Sequence, residues 1–349
     1  MRILFVCRLD GFDTDRPASD LALGGIETCN LELARSLAAR GHIVALSGAR
    51  GGYERTDPFG VTHVGQAAAR AQCFDTVVVS NIATDFDSLR DPGARAVYWM
   101  HNPLRLEKAV RKGYVGPFFR HRPWAIFPSE DLAARTGAYP FAGREVIGHG
   151  LDPAFLAAVA ARHDPSEPAR FVFSSQPHRG LDRVLRVWRE AIAPALPRAE
   201  LHVLGAAPAS IADFSARIHV RGRLTKREMV DVYDGARAML YPGAEDETFC
   251  LAAAEAQCVG LPLVTMGIGA LKERVTHGVD GFLCRDEADF ARKAMLLGQR
   301  ADLAASLGAA ARLRGANRSW DFVARLWEEL VFAPRGHAAA AAVALPRPA

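Results

Sequence analysis

Ile3-Leu4-Phe5-Val6-Cys7, then the pair Gly24-Gly25 and the run Ile26–Arg40, form the stretch on which the fold turns. The first segment is apolar at every position. A strand with one wet face alternates, so an unbroken apolar run reads as a parallel strand covered on both sides. Between Ile26 and Arg40 the apolar Leu31, Ala34, Leu37 and Ala38 share one helical face. Gly41 follows at the position where helices commonly stop. Ile43–Leu46 is then the next strand, and Thr76–Val79, Ala96–Met100 and Ala125–Phe127 read the same way. Strands alternating with helices predict an α/β fold of the doubly wound type.

The alternation breaks once and restarts. Arg162–Pro168 is polar, holds two prolines and reads as a linker. After it come a strand at Arg170–Ser174, a helix at Leu181–Ala191, and a strand at Glu200–Leu204. A helix at Lys226–Gly235, a strand at Ala238–Tyr241, a helix at Leu251–Cys258 and a strand at Pro262–Thr265 complete the second series. The expectation is two Rossmann-like units, residues 1–160 and 168–316, whose strand carboxyl ends face one central cleft. Residues 317–332 hold a last helix, and Ala333–Ala349, rich in Ala and Pro, is expected to be a disordered tail.

Composition limits the function classes. The chain has 349 residues, 50% hydrophobic and 23% charged, which excludes an intrinsically disordered protein and suits two domains. Lys+Arg 43 against Asp+Glu 39 leaves +4, little support for a nucleic-acid partner. The six cysteines, at 7, 29, 73, 250, 258 and 284, form no CxxC pair and no zinc spacing, so they read as reduced thiols of a cytoplasmic chain. Ile3–Cys7, between Arg2 and Arg8, is too short for a signal-peptide core. The longest uncharged run, Ala256–Leu271, is broken by Gly260, Pro262, Gly267 and Gly269 and falls short of a membrane span.

Four constellations carry chemistry. Glu247-Thr248-Phe249-Cys250-Leu251-Ala252-Ala253-Ala254-Glu255 places two carboxylates across a helix start. Backbone N–H groups from Thr248 to Leu251 lack helical partners and can hold a diphosphate. Glu255 is an acceptor suited to paired hydroxyls such as those of a ribose, and Glu247 can accept from sugar hydroxyls. An acidic helix start that complements the dipole explains Glu247 equally, but not Glu255. Gly24 and Gly25 open the first helix and let a phosphate approach its backbone, or simply turn the chain. Neither matches GxGxxG, which argues against a dinucleotide oxidoreductase. In Gln176-Pro177-His178-Arg179-Gly180, Arg179 follows a strand and can neutralise charge on a departing phosphate, unless it is a solvated loop arginine. Arg105–Trp124 holds Arg105, Lys108, Arg111, Lys112, Arg120 and Arg122 against Glu107 alone, with Tyr114, Phe118, Phe119 and Trp124 interleaved. Such a segment suits an anionic membrane surface or a lipid-linked anionic acceptor, or is a solvated basic face with aromatics inside.

Together these residues resemble a GT-B-fold retaining glycosyltransferase of family 4. The likeness runs from Met1 to about Phe332 and includes Gly24-Gly25-Ile26-Glu27, Gly148-His149-Gly150-Leu151-Asp152, Ile218–Leu224 and above all Glu247–Glu255. It implies transfer of a hexosyl or related sugar from a UDP- or GDP-sugar to an acceptor hydroxyl, with retained configuration, in assembly of cell-envelope glycan, lipopolysaccharide or glycolipid. Glu255 then binds the ribose and Glu247 the donor sugar. Thr248, Phe249, Cys250, Leu251 and Gly25 hold the diphosphate, and Gly222, Arg223 and Leu224 lie near the base. Arg179 takes the place of a phosphate-binding lysine. His101, after the strand Ala96–Met100, borders the donor sugar, where a neutral imidazole can bond a hydroxyl. The last helix crosses back to the first domain. The nucleotide-sugar serves as co-substrate, with no further cofactor. The family generally needs no metal, and no Asp-x-Asp motif is read here as a metal site. Gln176 stands nearest to the place of a second family cation, and Thr248 and Cys250 stand where the family has glycines. Alternatives are a nucleotide-sugar epimerase on the same scaffold and a non-catalytic sugar-nucleotide-binding protein.

Overall fold

β1 (Arg2–Val6) sits in the middle of a sheet because Ile3, Leu4 and Phe5 are fully enclosed from both faces. The computed structural model describes residues 1–7, 14–48, 54–88, 93–159, 166–205, 211–213, 215–315 and 318–333. Most of the expected linker and residues 334–349 of the expected tail lie outside the described residues.

The first sheet also contains β2 (Ile43–Ser47), β3 (Glu54–Thr56), β4 (Val61–Val64), β5 (Thr76–Ser80), β6 (Arg95–Trp99), β7 (Trp124–Phe127) and β8 (Gly143–Val146). Its order is β3-β4-β2-β1-β5-β6-β7-β8, parallel except for the β3–β4 edge. The second sheet is fully parallel. It contains β9 (Arg170–Ser174), β10 (Glu200–Leu204), β11 (Ile218–Gly222), β12 (Ala236–Leu240), β13 (Leu263–Thr265) and β14 (Gly281–Leu283), ordered β11-β10-β9-β12-β13-β14. Both orders reverse beside the first strand, between β1 and β5 and between β9 and β12. Crevices open at such switch points, at the carboxyl ends of the strands. Two doubly wound, mainly parallel sheets, as read from the sequence, are what is observed.

The first helix runs Gly25–Ala39, and Gly41 takes φ +89°, a conformation that costs a residue with a Cβ. Late in the chain, Trp320–Trp327 forms a helix whose buried Trp320, Val323 and Trp327 join Ile3, Phe5, Leu31 and Leu37 in one core. Trp327 meets Trp99 edge-on at 5.0 Å, and Arg40 holds Asp321 and Glu328 on the outside. The chain therefore leaves the first sheet, builds the second, and returns.

Sequence reasoning missed β3, β4, β8, β11 and β14. β3 is exposed throughout, β14 is three residues long, and β11 mixes Ile and Val with His and Arg at an edge, so none carries an unbroken apolar run. No helix among the described residues is long and apolar enough to cross a membrane. All six cysteines are free, and Cys73 alone is exposed.

Candidate active site

The loop after β12 brings the acidic motif to the cleft. Glu247 is buried, and its Oε1 accepts the Cys250 N–H at 2.9 Å. The Tyr241 hydroxyl donates to Oε2 at 2.7 Å, and Arg179 reaches the same oxygen at 3.2 Å. The second guanidinium nitrogen of Arg179 holds Asp246 at 3.1 Å. Burial works against the charge of Arg179, yet Glu247 and Asp246 hold its pKa above the ordinary value. Burial, with Cys250 and Glu247 nearby, pushes the Tyr241 hydroxyl up, so it stays a donor.

Two of the residues assigned to the diphosphate are engaged within the chain. The Cys250 N–H, assigned to a diphosphate, is capped by the side chain of Glu247 because the turn before the helix folds that carboxylate back. Thr248 contributes more than backbone: its Oγ1 donates to the carbonyl of His101 at 2.8 Å and ties the two units together. Cys250 itself is left-handed, φ +63°, which explains why glycine suits that place.

Glu255 lies inside the helix Leu251–Cys258, 1% exposed. Lys226 Nζ donates to its Oε1 at 2.5 Å, while Oε2 has no partner. Lys226 opens the helix Lys226–Tyr233, which Thr225 and Glu228 start with reciprocal capping bonds. Across the cleft, Gly25 begins the first helix with Leu251 beside it; a Cβ on Gly25 would stand 3.4 Å from Leu251 Cδ1. Two helix starts thus converge, each with backbone donors that helix geometry leaves over. Gly222 ends β11 at φ +68°, with Arg223 exposed and Leu224 half-buried before Thr225.

His101 follows β6. Asn81, itself left-handed at φ +63°, accepts the N–H groups of His101 and Asn102 through its side-chain oxygen at 2.8 and 3.2 Å. The His101 ring packs on Trp99 at 4.5 Å and stacks on His149 at 5.2 Å. Burial lowers its pKa to about 3, so the imidazole is neutral. Phe249 packs on His149 at 4.7 Å and carries Arg274 on its ring at 3.7 Å. Arg274 also donates to the Phe249 carbonyl at 2.9 Å; burial, then Arg318, lowers its pKa to about 9.

Gln176 is exposed, and its backbone carbonyl accepts the Arg179 N–H at 3.0 Å. In the basic segment, Arg105, Arg111, Lys112 and Arg122 are exposed, and Lys108 donates to the Pro103 carbonyl. Arg120 is paired with Asp87, which also holds His121, so it is not a free charge for a ligand. Tyr114 and Phe118 are core residues, whereas Leu106, Val110 and Phe119 are each more than 60% exposed. Asp-x-Asp triplets do occur in the chain: Asp13 of Asp13-Thr14-Asp15 lies outside the described residues, and Asp87 of Asp85-Phe86-Asp87 is engaged by Arg120 and His121.

Sequence reasoning missed Tyr241, Asp246, Lys226, Asn81, His149 and Arg274. Asp246 adjoins Glu247, and Tyr241 ends a strand already read from the sequence. The helix beginning at Lys226 was readable, but nothing local linked Lys226 to Glu255.

Residues 169–299 match the family model of glycosyl transferases group 1. A D-inositol 3-phosphate glycosyltransferase of Geodermatophilus obscurus is 32% identical over 218 residues, 57% of this chain and 45% of that protein. The chain thus matches about half the length of this relative. Among solved structures, sucrose-phosphate synthase from Thermosynechococcus elongatus superposes with a TM-score of 0.73 at 16% identity, covering 94% of this chain and 98% of that one. Anabaena HepE in complex with UDP-glucose gives 0.69 at 16% identity, covering 94% and 98%. The chain has the GT-B fold of these solved structures, and its residues 169–299 match the model of the group 1 glycosyl transferases.

Proposed function

We propose that the protein is a retaining, family 4 hexosyl- or related glycosyltransferase. It moves a sugar from a UDP- or GDP-sugar to an acceptor hydroxyl on a glycan or lipid-linked acceptor of the cell envelope. The observation that carries this reading is Glu255, buried, with one oxygen on Lys226 and the other without a partner, beside two converging helix starts. A ribose diol supplies the donor that Oε2 lacks, and a diphosphate suits the helix starts. The catalytic unit pairs an acceptor-side domain, residues 1–160, with a donor-side domain, residues 168–316, and residues 317–332 return to the first.

In transfer, the bond from the anomeric carbon to the diphosphate oxygen breaks, a bond to the acceptor oxygen forms on the same face, and the acceptor hydroxyl's proton passes to the departing diphosphate. Negative charge collects on the diphosphate. Arg179 is paired with the Glu247 and Asp246 carboxylates and can turn from them to that charge. Glu247 and the neutral ring of His101 are the groups assigned to sugar hydroxyls, with Gly24, Gly25, Thr248, Phe249, Cys250 and Leu251 around the diphosphate and Gly222, Arg223 and Leu224 near the base. No metal and no further cofactor enters this scheme. The exposed basic and apolar side chains at Arg105–Phe119 support peripheral attachment to the inner face of the cytoplasmic membrane.

Thermal stability measured against UDP-, GDP- and ADP-sugars, followed by product analysis with acceptors, tests the reading. A donor at about 100 times its Kd adds about 2.7 kcal/mol. Stabilisation by none of them refutes it. The exposed Gln176, in place of a second cation, favours one other reading, a binding protein without turnover. Stabilisation by a donor with no transfer to any acceptor, and no altered sugar nucleotide, selects that reading.

A further inference from the structure

We propose that Cys29, His101 and His149 form a binding site for one soft monovalent transition-metal cation, copper(I) in chemical type. The three residues come from separate parts of the first unit: the first helix, the end of β6, and the segment between β8 and the helix Pro153–Ala157. One ligand atom from each lies within 4.8 Å of the other two. Metal–ligand bonds of about 2.0–2.3 Å require these atoms to close by about 1 Å, a distance within the reach of side-chain rotation. The residues are 1%, 6% and 4% exposed.

A second observation points to a ligand. His101 Nε2 and His149 Nδ1 are buried and have no hydrogen-bond partner. What sets these two nitrogens apart from other unpartnered buried atoms is that their rings stack on each other beside the buried Cys29 thiol. A thiolate with two imidazoles is a soft donor set.

Charge selects the ion. Arg318 Nε donates to the His149 carbonyl at 3.4 Å, and Arg274 lies on Phe249 against His149. Near Cys29 stand Lys226, Glu255 and Glu27, so the three cations around the site outnumber the two carboxylates and disfavour added positive charge. Copper(I) with one thiolate brings none, whereas Zn2+ with the same thiolate brings one unit. On binding, the S–H bond of Cys29 breaks, its proton passes to solvent and the S–Cu bond forms, with no change of oxidation state. Metal uptake is independent of the proposed glycosyl transfer. Only its consequence, reversible loss of transfer as His101 is held away from the donor, rests on that reading.

The test uses the full chain carrying Cys73→Ser, which removes the exposed thiol. Copper(I) is supplied anaerobically from a colorimetric chelator, and Zn2+ by equilibrium dialysis, both without donor. The expected result is one equivalent of copper(I), with X-ray absorption showing one sulfur and two nitrogen neighbours. Cys29→Ser and His149→Phe each weaken uptake at least tenfold while metal-free melting is unchanged. Absence of uptake, equal uptake by the variants, or a shell lacking sulfur overturns the site. Tighter retention of Zn2+ than of copper(I) overturns the choice of ion. The absorption measurement needs no variant, so a variant that fails to fold does not protect the proposal.

Discussion

Glu247 and Glu255 stand at the two ends of one motif, but their oxygens are occupied differently. Both Glu247 oxygens already accept, from Cys250, Tyr241 and Arg179, whereas Glu255 keeps one oxygen without a partner. Removing the charge at Glu255 should therefore act on nucleotide affinity and removing Glu247 on turnover. Glu255→Gln is expected to bind the nucleoside diphosphate roughly ten- to a hundredfold more weakly, since a hydrogen bond to a charged group is worth about 1.5–3 kcal/mol. Calorimetric titration checks this; parental affinity in the variant would remove Glu255 from the ribose. Glu32 gives a pH test outside the cleft. Burial, then Asp152, raises its pKa to about 7 from 4.5. The folded protein binds the extra proton between those values, so this contribution to stability is full below pH 4.5 and is lost as pH rises through 7. Glu32→Gln should match the parent in urea unfolding at pH 4 and exceed it at pH 8, by about 3 kcal/mol. An unchanged difference between the two pH values would show that Glu32 titrates normally.

The loop after β9 and the turn before the helix Leu251–Cys258 work as a pair, because Arg179 on one holds Asp246 and Glu247 on the other. Arg179→Ala should lower turnover about 100–1000-fold, the scale seen when one oxyanion donor is removed. Arg179→Lys should keep part of the rate, and Gln176→Ala, at an exposed position, should be mild. Steady-state kinetics with a confirmed donor decides; parental turnover in Arg179→Ala would place the phosphate elsewhere. Legibility in the sequence divides along the same elements. β1, β9 and the helix Leu251–Cys258 were readable because continuous apolar runs and an Ala-rich helix carry their signal locally. β3 and β11 were not, since these edge strands carry exposed or half-buried Glu, Arg and His in place of an apolar run. The carboxylates and Arg179 were readable as chemistry. Their pairing was not, because Lys226 reaches Glu255 across 29 positions, and Thr248 reaches His101 across 147.

Across the whole molecule, the exposed surface of the first unit places Leu106, Val110 and Phe119 among Arg105, Arg111 and Lys112. Such a surface should pellet with anionic vesicles and not with neutral ones, and salt should release it, because each basic residue near an anionic surface contributes about 1 kcal/mol. Equal sedimentation with both lipids at low salt would leave these side chains simply solvated. The return of the final helix to the first core has a separate consequence. The connection that leads from the first sheet to the second is not the one that brings the chain back through Leu151 and Arg318, where Leu151 N–H donates to the Arg318 carbonyl at 2.7 Å. A polypeptide beginning at Ser166 still carries Trp320, Trp327 and Phe332, and these belong to the hydrophobic interior of its missing half. Two separately encoded pieces, 1–159 and 166–333, therefore have a ready-made means of recognising one another. Co-expressed, they should purify together and reconstitute the whole, while the first piece alone lacks the tryptophans that close its own interior.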